Sequence, residues 1–271
     1  MSKSNVIAFK GFDPDDTIIM KGIGKLIKLV TDSDVFLYML RDIMIKHALW
    51  KQDLITDIKK KLQVAKKFNM KNKSEEEMQE FEEFSKCVIR MYGKVNTPDF
   101  LNQLYHAKLI EQRDKQKALD VVRGKVFEHI CIAFLEKRKE IDRFAGCDIY
   151  IDGERIITSF EDGHPDKHSV DYALKYKFID ENEESTENYE IYEFKIRPEG
   201  FSKYNYIHFA NIKEKMELCE VTVKMIAAAF EDTISLQSRI YEIEELIIGN
   251  KISIILIGID RLRILEVAVA S

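Results

Sequence analysis

Apolar residues at three- and four-residue spacing predict helices over most of the first half of the chain. Ile23, Ile27 and Val30 mark one apolar face, and Phe36, Leu37, Leu40, Ile43 and Met44 mark the next. Asp32-Ser33-Asp34 between them supplies a break and a cap. Asp53 to Phe68 continues the pattern with Leu54, Ile58, Leu62 and Ala65, and its polar face carries Lys59, Lys60, Lys61, Lys66 and Lys67. Ser74, with Glu77 three residues on, forms a capping-box pattern that opens a helix running to about Tyr92-Gly93. Thr97-Pro98-Asp99 opens another. Residues 17–115 therefore read as all-helical. They follow a short apolar run, Val6 to Phe9, and a turn at Gly11 to Asp16.

The pattern then changes period. Lys117 to Ile141 reads as one more helix, with Val121, Val122, Phe127, Ile130, Cys131, Phe134 and Leu135 as its apolar stripe. Beyond Gly146, Asp148–Ile151 and Arg155–Ser159 flank Asp152-Gly153, a strong hairpin signal. Ser169–Phe178 and Tyr189–Ile196 alternate as strands, separated by an acidic turn over Asp180–Asn188. Asn211–Phe230 is expected to be helical, as is Ser235–Leu246. Lys251–Ile259 and Arg263–Ala270 are expected to be strands. The expected fold is α/β (α+β): a mixed sheet flanked by helices over 116–271, preceded by a helical region over 1–115.

Composition narrows the class. The chain has 271 residues, enough for one large domain or two small ones. With 11 Gly and 4 Pro, collagen-like and low-complexity classes are excluded. The longest apolar run, Ile252 to Ile259, falls well short of the roughly 20 residues needed for a spanning helix, so no membrane partner is expected. No apolar signal region follows Met1, and the four cysteines are widely spaced. A cytoplasmic protein with reduced thiols is the expectation. The net charge of −5 is unevenly divided: residues 1–125 carry a net +6 and residues 126–271 a net −11. The first half could therefore face a polyanion, while the second gathers the carboxylates that a magnesium site, or a solvated acidic surface, would show.

Four positions in the second half carry candidate chemistry. Glu193-Phe194-Lys195 lies in an expected strand, so Glu193 and Lys195 share a face. Asp171 is embedded in the preceding strand, in Val170-Asp171-Tyr172-Ala173-Leu174. Glu128 sits on the helix before the sheet, at the edge of an apolar face formed by Cys131, Ile132 and Leu135, where a lone carboxylate is costly. Acid-x-Lys alone decides nothing, since shuffling this composition gives about five matches. Its weight comes from the order: helical Glu, strand Asp, strand acid-x-Lys, then a helix and a buried strand.

Residues from about 117 to 260 thereby resemble the PD-(D/E)XK nuclease superfamily, the restriction-endonuclease-like fold. The resemblance implies one or two divalent metals, with Asp171 and Glu193 as direct ligands and Glu128 holding a metal-bound water or the second metal. It implies that Lys195 orients the attacking water and helps neutralise developing charge. Mg2+ is the implied cofactor, with Mn2+ as substitute. A literal Pro-Asp pair stands at Pro165-Asp166, but His164-Pro165-Asp166-Lys167-His168 reads as a polar turn, so strand-embedded Asp171 is favoured. Pro165 also argues against His164 and His168 forming a zinc pair on a helix.

Within the superfamily, the chain length and the lack of a G-x-x-x-x-G-K-[ST] loop point to a type II restriction endonuclease acting on double-stranded DNA as a homodimer. Residues 1–115 would supply DNA contacts, dimerisation or both. A repair, recombination or defence nuclease of the same fold stays open, as does a non-catalytic DNA-binding protein. The lysine run Lys59–Lys67 reads as a solvated face or a phosphate contact. The cluster Lys203, Tyr204, Tyr206, His208 and Phe209 reads as core packing or a nucleic-acid contact.

Overall fold

The computed structural model describes residues 7–11, 17–139, 141–179, 185–247 and 251–267. The chain divides into two compact units: Met1–Pro14 with Leu135–Ser271, and Asp15–Phe134. This differs from a break at residue 115, because the first strand joins the sheet unit and most of the long seventh helix belongs to the helical unit.

The helical unit contains α1 (Thr17–Met20), α2 (Gly24–Asp32), α3 (Asp34–Lys46), α4 (Leu54–Asn69), α5 (Glu75–Lys94), α6 (Pro98–His106) and nearly all of α7 (Lys115–Leu135). Its expected breaks are present. Ser33 caps α3 by accepting from the Phe36 N–H. Phe36 in turn stacks on Phe84 of α5, ring centroids 4.8 Å apart. At Ser74 both halves of the capping box form: Glu77 N–H donates to Ser74 Oγ at 3.2 Å, and Ser74 N–H donates to Glu77 Oε2 at 2.8 Å. Replacing Ser74 with alanine is expected to cost about 1 kcal/mol, read as a lowered thermal midpoint. Thr97 differs from expectation. Pro98 does open α6, but the Thr97 hydroxyl donates back to the Lys94 carbonyl and does not cap.

The sheet unit holds β1 (Ile7–Gly11), β2 (Asp142–Ile151), β3 (Glu154–Arg155), β4 (Ser169–Ile179), β5 (Ser185–Lys195), α8 (Lys203–Glu217), β6 (Thr222–Ala229), α9 (Thr233–Leu246) and β7 (Ile254–Ile257). Among the described residues its seven strands run in the order β1-β2-β4-β5-β6-β7, with β3 paired to β2. The pairs β1–β2, β2–β4 and β4–β5 are antiparallel; β5–β6 and β6–β7 are parallel, joined through α8 and α9. The fold is thus mixed α/β with a helical N-terminal region. Ile191, Ala173, Met225 and Ala227 of the sheet pack with Phe209 and Ile212 of α8 and Leu236 and Ile240 of α9. No helix among the described residues is long and apolar enough to cross a membrane.

Four elements differ from the sequence expectation. Residues 211–230 do not form one helix. The helix ends at Glu217, Glu220 turns the chain with φ 61, and Thr222–Ala229 is a sheet strand. That strand is paired on both sides and buried along most of its length, so it is a continuous apolar run without alternation. Its Met and Ala residues read equally well as a buried helix. The long helix α7 also stops earlier than Ile141, and β2 begins at Asp142 and runs through Gly146. Gly146 takes φ 45, a left-handed conformation that lets glycine sit within a strand where a break was expected. Residues 185–188 extend β5 rather than forming part of a turn, while 180–184 lie outside the described residues. Finally, Ile259–Glu266 is a 3-10 helix, not a strand; 268–270 lie outside the described residues.

The Asp152-Gly153 hairpin forms as expected, with φ 51 and 87. Its second strand is only two residues long. Beyond it the Ile156 N–H still donates to the Ile149 carbonyl of β2 at 2.8 Å, and Thr158 and Lys167 then exchange backbone hydrogen bonds of 2.8 and 2.9 Å outside the named strands.

Candidate active site

The register of the sheet brings the acid-x-Lys motif and the strand aspartate together. Tyr172 pairs with Tyr192 at the last rung of the β4–β5 ladder. Asp171 and Glu193 are the next residues on each side. Past that rung the Phe194 N–H donates to Asp171 Oδ2 at 2.7 Å, so the carboxylate takes up the amide where the ladder stops. On the other side of β5, Glu193 and Lys195 pair with Ala227 and Ala229 of β6, which are small enough to leave the charged pair uncrowded. Gly200 lies against the Lys195 stem: a Cβ added there would sit 3.3 Å from Lys195 Cβ.

Lys195 Nζ bridges the two acids, 2.7 Å from Glu193 Oε1 and 3.5 Å from Asp171 Oδ2. The Glu193 side chain is 1% exposed, whereas Asp171 and Lys195 keep 28% and 26%, so the cluster opens to solvent on their side. Two further residues reach Glu193. Lys167 Nζ lies 3.1 Å from Oε1. Asn205, in the first turn of α8, donates from Nδ2 to the same oxygen. The other end of the Asn205 amide accepts from the Ser202 N–H as half of a capping box, which fixes the direction in which Nδ2 points. Glu193 Oε1 is therefore crowded with donors, while Oε2 is buried and has no hydrogen-bond partner.

Electrostatics follow from this geometry. Burial opposes ionisation of Glu193, but Lys195 and Lys167 outweigh it and hold the carboxyl below the usual range. Burial, and then the charge of Glu193, push Asp171 up, against Lys195 and the Phe194 N–H. Burial also works against the charge on Lys195, yet Asp171 and Glu193 raise its pKa above that of an ordinary lysine. The two acids thus favour the charged, hydrogen-bond-donating form of Lys195.

The remaining candidates each have surroundings of their own. Asp166 is exposed on the loop between Thr158 and Lys167. Glu128 belongs to the helical unit, where Lys125 Nζ contacts its Oε2 at 2.7 Å. His168 pairs with Asp148, at 3.0 Å, and not with His164. His164 stacks on Tyr204, centroids 3.6 Å apart. Of the aromatic cluster on α8, Tyr206, His208 and Phe209 are buried, which makes them core. Lys59 and Lys60 of α4 are exposed.

Sequence reasoning missed Lys167 and Asn205. Lys167 adjoins the quoted Pro165-Asp166 pair but carries no spacing signal of its own. Asn205 has a faint one, Ser202-x-x-Asn205, which marks a helix start and says nothing of Glu193.

A polar chain, buried at Thr158 and His208 and half-buried at Asn211, ties the loop to α8. Asn211 Nδ2 donates to Thr158 Oγ1 at 2.7 Å, and Thr158 Oγ1 and His208 Nδ1 share a hydrogen bond of 2.7 Å. His208 is fully buried, and its Nε2 has no partner. Burial, then the charges of Lys167 and His168, push its pKa down to about 3, against the pull of Asp148. An unfolded imidazole titrates near 6.5. Between those values the unfolded chain binds a proton that the folded chain refuses, so stability is full above the upper value and falls as pH drops toward the lower one. The slope contributed by His208 is expected to approach about 1.4 kcal/mol per pH unit. His208→Gln should flatten the acid limb of a plot of urea midpoint against pH. An unchanged limb would mean that His208 is protonated in the folded state.

The donor set suits a hard divalent cation. Two carboxylates stand side by side, one with a buried, unpartnered oxygen, and oxygen-only ligation with few protein ligands is what magnesium takes. Among the described residues no group of three or more His, Cys, Asp or Glu side chains is placed to hold a metal ion. The site therefore offers two acids, not a protein-only cage.

No protein-family model matches the chain, and no curated protein matches it significantly.

Proposed function

We propose that this chain is a magnesium-dependent endodeoxyribonuclease of the restriction-endonuclease-like kind, with Asp171, Glu193 and Lys195 as its catalytic residues. One observation carries the reading. A strand aspartate and a strand acid-x-Lys, 22 residues apart in sequence, meet in one partly open cluster in which a buried carboxylate oxygen lacks a partner.

Asp171 and Glu193 would hold the ion, Mg2+ or Mn2+ in its place. When bound, the ion would polarise the phosphate and supply a reactive water at neutral pH. Lys195 donates from a fixed ammonium, orienting that water and stabilising the negative charge that builds on the phosphoryl oxygens. The water oxygen bonds to phosphorus and gives up a proton to bulk solvent, the bond from phosphorus to the leaving oxygen breaks, and that oxygen takes up a proton from bulk solvent. Asn205 and Lys167 hold Glu193 by one oxygen, and the other, buried and without a partner, would be the one available to the ion. Glu128, which pairs with Lys125, is kept as the helical acid of the family pattern that would hold a metal-bound water. The substrate proposed is double-stranded DNA, cut by a homodimer with one site per strand, as a type II restriction endonuclease would.

Digestion of supercoiled plasmid with Mg2+ tests this reading. Discrete fragments support a site-specific restriction enzyme. A smear keeps the nuclease and removes the restriction role. Salt-sensitive binding of duplex, single-stranded DNA or RNA without cleavage of any of them would replace it with a non-catalytic nucleic-acid-binding protein.

A further inference from the structure

The loop that carries Lys167 is held in an unusual way. It leaves the sheet after β3 and is pinned where Thr158 and Lys167 exchange backbone hydrogen bonds. The pin is tied to α8 by the polar chain through Thr158, half-buried Asn211 and buried His208. Burying a histidine with an unpartnered nitrogen costs stability. The output of this costly frame is a fixed position for Lys167, whose Nζ reaches 3.1 Å from Glu193 Oε1.

The site's charge shows what a lysine there would do. Asp171, Glu193 and Lys195 sum formally to −1, and Lys167 brings the cluster to zero. One divalent ion then makes it +2. That balances the phosphoryl group in its transition state, where attack adds a second negative charge to the one the phosphodiester carries. Without Lys167, the same balance would need another cation. A second metal would draw on the same two acids, whose charges Lys195 and Lys167 already offset.

We propose that Lys167 is the built-in second cation of the site, contacting the scissile phosphate, so that hydrolysis needs a single divalent ion per active site. This rests on the metal-dependent nuclease reading. It goes further by fixing the metal stoichiometry and naming a second catalytic lysine outside the acid-x-Lys motif.

The test pairs metal binding with kinetics on the full-length chain, using Mn2+ as the probe. Wild type is expected to bind one Mn2+ per chain, with a first-order dependence of the cleavage rate on metal. Lys167→Met removes a positive charge beside a metal ligand. It should bind Mn2+ several-fold more tightly while kcat falls about 100-fold. Opposite movement of affinity and rate is the signature, since a lysine that merely positioned Glu193 would lose both together. Lys167→Arg should restore most of the rate, and an unchanged unfolding midpoint in both variants shows that the loop still folds. Two Mn2+ per wild-type chain, joint loss of affinity and rate in Lys167→Met, or an unaltered rate would each overturn the proposal while leaving the nuclease standing. A wild-type chain that neither binds Mn2+ nor cleaves nucleic acid would instead sink the nuclease reading, and the proposal with it.

Discussion

Replacing Lys195 with methionine is expected to lower magnesium-dependent DNA cleavage by about 1,000-fold. Methionine keeps the unbranched stem that packs against Gly200 and removes only the ammonium. That ammonium lies within 3.5 Å of both candidate ligands, and their charges hold it protonated. It therefore contributes a donor and a charge, both of which matter most when the phosphoryl oxygens gain charge. The loss should fall on kcat, since ground-state DNA binding draws on the whole interface. Single-turnover cleavage of a labelled duplex reads this directly. A loss confined to KM would reassign Lys195 to substrate binding.

The largest stability effect is expected on the opposite face of β5. Glu190 is buried and receives Arg138 Nη1 at 2.6 Å and the Tyr176 hydroxyl at 3.1 Å, with the Tyr192 hydroxyl beside it. Arg138 is itself buried, its side chain 3% exposed. Glu190→Ala strands a guanidinium out of water and is expected to cost about 3–5 kcal/mol. The double variant Arg138→Met, Glu190→Leu removes both charges and should recover most of that loss, because a buried pair gains little over well-packed apolar residues once both desolvation costs are counted. Urea denaturation of the three proteins checks both statements. A mild Glu190→Ala effect would mean that water reaches Arg138.

Much of the site was legible because strand periodicity is local. Glu193 and Lys195 share a face by their spacing alone, and Asp171 read as a strand residue from its apolar neighbours. What the sequence could not supply was register. That Asp171 stands beside Glu193 depends on Tyr172 pairing with Tyr192, a contact made by the folded sheet. Lys167 and Asn205 were invisible for the same reason, being 26 and 12 residues from the acid they touch. The helices of the first half were plain because amphipathic faces and caps such as Ser33 and Ser74 are written within one or two turns. The strand Thr222–Ala229 was lost because its place between two strands erases the alternation that identifies an exposed one. Arg138 and Glu190 gave no signal, since either reads as an ordinary surface charge until the fold buries both.

Cleavage of a labelled duplex by wild type and by Asp171→Asn, each titrated with Mg2+, tests the central claim most directly. The proposed site predicts cleavage by wild type that rises with Mg2+ and stops with chelation, and loss of about 100-fold or more in the variant. Wild-type cleavage that persists in chelator, or an Asp171→Asn variant as active as wild type at every Mg2+ concentration, would contradict it.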